Sequence, residues 1–150
     1  MDHVNRFHTN DSWLWVRAEH VAVVVAALGL LAYHWSEVNW VRGVAAFVLI
    51  DVIGYVPGAI AYRRARGGKI PAIYHHLYNL THSYLVCGMV VGLWALAGDG
   101  FEWAMLAVPN HLSGDRGIFG NTYKPTALPF EPAPVPAAGL APGASGQKTL

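Results

Sequence analysis

The chain has 150 residues, more than half of them hydrophobic and only 13% charged, where a soluble domain of this size carries about a quarter. That deficit excludes an ordinary soluble domain, and a net charge of +1 without a basic stripe excludes a nucleic-acid binder. A single cysteine, Cys87, excludes an internal disulfide and any cysteine-built metal site.

Residues 1–15 are polar and lack a Lys/Arg-led apolar stretch with a small-residue cleavage site, so no removable signal peptide is expected. Asp11 or Ser12 can cap a helix that starts near Trp13, with Trp13 and Trp15 at a membrane interface. A first span is predicted over residues 16–35, apolar all round as a lipid-facing helix should be. His20 and His34 read as interfacial residues of this span, whereas Glu19 sits nearer the hydrocarbon.

The second predicted span covers residues 40–62, about the 20 residues a bilayer core requires. Asp51 lies at its middle, and Pro57 should kink the helix just after it by removing a backbone hydrogen bond. An acid at that depth is either a site residue or a protonated group hydrogen-bonded to a neighbouring helix. Arg63, Arg64, Arg66 and Lys69 then form a short basic loop that the positive-inside rule places in the cytoplasm. Nine of the ten basic residues fit one topology, four spans with both termini cytoplasmic.

The third predicted span covers residues 72–97. His75 and His76 fall in its first turn, and His82 about 15 Å from its start. Asn79 is three residues from both His76 and His82, and Gly88 and Gly92 have the spacing of a close helix contact. The fourth span, from Phe101 to about Leu112, is short and interrupted by Pro109. His111 and Asp115 share a face if helix persists, although Gly114, Gly117 and Gly120 act against that. From Pro125 the chain becomes a Pro/Ala-rich tail holding six of the nine prolines. Such a tail is extended or disordered unless a partner orders it, with Leu128, Phe130, Val135 and Leu140 as its apolar anchors.

The expected architecture is therefore an all-α four-helix transmembrane bundle, residues 16–124, between a polar segment (1–15) and an extended tail (125–150). Within it Glu19, Asp51, His82, His111 and Asp115 form the deep polar set, with His75, His76 and Asn79 near the entrance. Ionisable groups in hydrocarbon mark function by default, and imidazole with carboxylate is ligand chemistry for Zn, Fe or Mn. Asp51, His82, His111 and Asp115 are the candidate ligands, with Glu19 as a general base. Two alternatives stand beside a metal. In one, Arg116 pairs with Asp51 or Glu19 while His82 bonds Asp115; in the other, a histidine holds a haem or pigment.

The segments RAEH (17–20), IDVIGY (50–55), LYNLTHS (77–83) and NHLSGDR, followed by GN and a lysine (110–124), together resemble an uncharacterised bacterial integral membrane family. That family is catalogued as domain of unknown function 4260. The resemblance implies a bacterial inner-membrane location and marks Glu19, Asp51, Tyr78, Asn79, His82, His111, Asp115 and Arg116 as its shared positions. The basic insertion at 63–70, His75-His76 and the tail depart from the family pattern. It implies no reaction. The leading expectation is an accessory or structural subunit whose tail lies on other membrane subunits. The alternative is a metal-dependent enzyme acting on a lipid-like substrate from the cytoplasmic side, and a proton or ion pathway is a weaker third reading.

Overall fold

The structure, a computed structural model, describes residues 10–131, and within them the chain is all-helical with no strand. Helix α1 spans Asn10–Tyr33, α2 Trp40–Gly54, α3 Val56–Arg64, α4 Ala72–Thr81, α5 Tyr84–Ala97 and α6 Ala107–Gly114. A 3₁₀ turn, Trp103–Leu106, leads into α6, and a π-helical turn, Asp115–Phe119, continues it. Two helices are long and apolar enough to cross a membrane, Ser12–Tyr33 and Trp40–Arg64, and the bent pair α4–α5 makes a third if counted as one span.

Helix α1 buries a single stripe, Val24, Ala27 and Leu31, at the three-and-four spacing that puts side chains on one face. Along that stripe it packs against α6 and the π-helical turn. Val25, Leu28 and Leu30 stay exposed, which is consistent with a helix that crosses a membrane. Gly117 allows the close approach, because a Cβ there would lie 2.9 Å from the backbone nitrogen of Val21. Arg17 closes the same contact, donating to the carbonyls of Gly117 and Ile118 at 2.9 and 3.2 Å.

The second span is interrupted at Tyr55, two residues before Pro57, which occupies the first turn of α3 where its missing N–H costs nothing. That interruption falls after Asp51, beside the position where the kink is expected, within what still counts as one span-length helix. The third span differs from expectation: it is not continuous but bends by 53° between α4 and α5. No proline or glycine lies at the break. Ser83 instead caps α5 by accepting from the amide of Val86 at 3.5 Å. The carbonyls that the break frees find other donors, since Arg116 reaches His82 O and Cys87 Sγ reaches Thr81 O, both at 3.0 Å. Gly88 and Gly92 face open space, so their spacing serves no helix contact among the described residues.

The two ends of the molecule differ in chemistry. At one, Arg42 pairs with Glu102 at 2.5 Å, Trp94 donates to the same carboxylate, and His34 stacks on Trp103 at 3.7 Å. Hydrogen bonds from His34 and then Trp103 hold the Glu37 carboxyl below its usual range. At the other lies the basic loop after α3. That helix ends in a Schellman arrangement, with Gly67 N–H on Tyr62 O and Arg66 N–H on Arg63 O, each at 3.0 Å. Arg66 takes the left-handed position (φ 52°) that glycine usually fills.

The tail begins differently from the expected extended chain. Residues 125–131 form a strap on the helices. The side-chain amide of Asn79 clamps the backbone of Lys124, donating to its carbonyl at 3.0 Å and accepting from its N–H at 2.6 Å. Lys124 Nζ donates to Phe130 O at 2.8 Å and lies over the Tyr78 and Phe130 rings. His75 Nε2 donates to Leu128 O at 3.2 Å, and Tyr55 to the Glu131 carboxylate at 2.7 Å. Phe130, expected to anchor a partner, is wholly buried inside this chain among Tyr55, Tyr78 and His75. The slot exists because residue 58 is glycine, where a Cβ would run into the Phe130 ring. Leu128 is 40% exposed, while Val135 and Leu140 lie outside the described residues. Phe130→Ala should therefore destabilise the protein by about 3–5 kcal/mol in detergent denaturation, with helix content retained in the folded baseline. Gly58→Ala should act in the same direction; an unchanged midpoint for both would show that the strap contributes nothing.

Candidate metal centre

Four of the five deep polar residues converge. Asp51 comes from the last turn of α2, His82 from the α4–α5 break, His111 from α6 and Asp115 from the π-helical turn one helical turn further on. His82 Nε2 lies 3.3 Å from Asp51 Oδ1 and 3.2 Å from Asp115 Oδ2. His111 Nε2 faces the same two oxygens at 3.7 and 3.8 Å. Both imidazoles are buried, whereas the Asp51 side chain is 47% exposed and leaves one flank open.

The hydrogen bonding around His82 fixes what the cluster needs. Its Nδ1–H donates to Tyr78 O at 3.0 Å, and its ring stacks on that of Tyr78 at 3.8 Å. In the neutral tautomer Nε2 is then a lone pair aimed at two carboxylates, an arrangement that repels unless positive charge lies between them. Nε2 of both histidines is buried without a hydrogen-bond partner. Ligands at about 2.0–2.2 Å from a tetrahedral ion lie about 3.3–3.6 Å from one another. The four contacts bracket that spacing, and Asp51, His82 and His111 in particular can hold a metal ion, with one ligand atom from each mutually within 4.8 Å.

Outer contacts hold the ligands in place, as metal sites require. Tyr78 supplies the carbonyl for His82, Phe47 packs its ring edge on His111 at 4.6 Å, and Arg116 ties down the His82 carbonyl. Arg116 also lies over the Tyr84 ring at 4.5 Å, so it grips the helix break rather than Asp51 or Glu19, as the metal-free alternative had it.

The remaining expectations separate from the cluster. Glu19, the expected general base, is exposed on α1. Its neighbour His20 faces inward instead, 3.5 Å from Ser113 Oγ and stacked on Tyr84, whose hydroxyl bonds the same serine. One residue is about 100° of helix rotation, and the all-round apolar α1 carries no pattern from which to phase it. His76 is exposed, and His75 and Asn79 hold the strap rather than an entrance to the site. Sequence reasoning passed over Ser113, Tyr84 and the buried Lys124. A serine two positions after His111 and a tyrosine two after His82 gave little signal, and Lys124 read as an ordinary cytoplasmic charge.

Compared with family models, curated proteins and solved structures, the chain matches none of them.

Close packing at Gly54 seats His82, a candidate ligand. A Cβ there would collide with Thr81 Oγ1 and come within 3.4 Å of His82 Nδ1. Gly54→Ala should weaken zinc binding by about 10–100-fold in a chelator-competition titration while helix content is retained. An unaltered affinity would mean that His82 is not a ligand.

Proposed function

We propose that this chain is an integral membrane protein of four membrane-entering helical segments that holds one divalent cation between Asp51, His82, His111 and Asp115. The observation that carries the proposal is the two buried imidazole Nε2 atoms turned, without hydrogen bonds, onto the same two carboxylate oxygens. Nitrogen with carboxylate oxygen suits Zn, Fe or Mn. Imidazoles committed to those carboxylates favour a bare ion over haem or pigment. The proposal extends to membership in the uncharacterised membrane family that the sequence resembles.

The ion has a catalytic use. The open flank beside Asp51 gives room for a further ligand, and a cation there supplies a Lewis acid and an activated water. Lipid-exposed faces on α1, α2 and α5 make a membrane-soluble molecule the natural substrate. We therefore favour a metal-dependent membrane enzyme acting on a lipid-like substrate. The other reading, an accessory subunit, loses one of its four apolar anchors, because Phe130 is buried within the chain.

Elemental analysis of the purified protein tests the metal directly. About one divalent ion per chain is expected, falling to a small fraction in the double variant His82→Asn with His111→Asn. Added metal should stabilise the wild type by about 4 kcal/mol at a thousandfold excess over Kd. A protein that carries no ion and gains no stability from zinc, manganese or iron overturns the proposal. For topology, Ser36→Cys and Gly98→Cys should both be labelled from outside intact cells; protection of both would invert or remove the four-segment arrangement.

A further inference from the structure

At the tryptophan-rich end, a cavity of about 330 Å³ lies between α1, α2 and the start of α6. That is roughly twice the volume of an apolar cavity that takes up benzene. Leu28, Trp35, Val44 and Phe47 line it and are themselves part-exposed, so it opens on the outer surface of the bundle. Its lining is hydrocarbon and indole apart from one amide, Asn110.

Asn110 Oδ1 is buried and has no hydrogen-bond partner. Leaving such an acceptor unmet costs about 1–3 kcal/mol, and of the two indoles in the lining Trp40 already donates its N–H to Trp35 O at 3.1 Å. Asn110 precedes the ligand His111 on α6, and Phe47 both lines the cavity and packs on the His111 ring. The cavity thus ends one side chain from the candidate metal centre. A ligand that suits it has an unbranched apolar body and a single donor at its inner end. An alcohol meets both demands, because its O–H can donate to Asn110 while its oxygen is a hard donor of the kind divalent cations accept.

We propose that this cavity binds the hydrocarbon chain of a long-chain alcohol or hydroxylated lipid, its hydroxyl bonded to Asn110 Oδ1. The cavity assignment stands on its own lining, while the approach of that hydroxyl to an ion rests on the metal reading above.

Trp35 and Trp40 line the cavity and report on it. Purified protein in detergent, its metal content measured in parallel, is titrated with 12-bromododecanol, whose bromine quenches tryptophan, and with 1-bromododecane as the chain without a hydroxyl. Saturable quenching is expected with the alcohol, about 10-fold tighter than with the bromoalkane. Asn110→Leu should abolish that difference, and Val44→Phe, at the exposed rim, should weaken binding of both probes. Equal affinity for the two probes in the wild type, or a preference that survives in Asn110→Leu, overturns the proposal. So does quenching that rises with concentration and never saturates. A preference that depends on Asn110 in protein devoid of metal supports the cavity and removes the metal reading. Loss of the preference with the metal retained does the reverse.

Discussion

The structure depends on one electrostatic constraint: two carboxylates and two buried imidazoles, drawn from α2, the α4–α5 break and the end of α6, meet at one point. Asp51 and Asp115 repel one another, and the Tyr78 carbonyl commits the His82 proton to the far side of its ring. Positive charge between them turns the arrangement from costly to cohesive, whether it comes as a metal ion or as a proton on imidazole. Three stretches of chain are thereby tied at one point.

Three backbone irregularities serve that point. The break at Tyr55 follows Asp51, the break at His82 delivers a candidate ligand, and the π-helical turn carries Asp115. Irregular backbone at membrane depth survives only where its freed polar groups are satisfied. Here Arg116, Cys87 and Ser83 supply the partners at the sharpest bend. Gly54, Gly58 and Gly117 do the complementary work by letting neighbouring segments close on the breaks. The strap adds a clasp at the basic end, where Asn79, Lys124 and Phe130 hold α3 and α4 together from outside.

Much of the site was legible in the sequence for a simple physical reason. Asp51, His82, His111 and Asp115 stand out because hydrocarbon tolerates ionisable groups only in company, and four of them needed that company. The choice between Glu19 and His20 was not legible, because a helix apolar on every side gives no phase. Nor was the helix break at His82, which has neither proline nor glycine and is held open by Arg116, 34 residues away. The burial of Phe130 depends on Gly58, distant in sequence, so composition alone made residues 125–131 look like free tail.

Zinc K-edge X-ray absorption on the metal-loaded protein tests the central claim most directly. The account predicts a shell of nitrogen and oxygen at about 2.0–2.2 Å, outer scattering from two imidazole rings, and loss of one ring's contribution in His111→Asn. A sulfur shell from Cys87, or a bound ion without imidazole scattering, would contradict it.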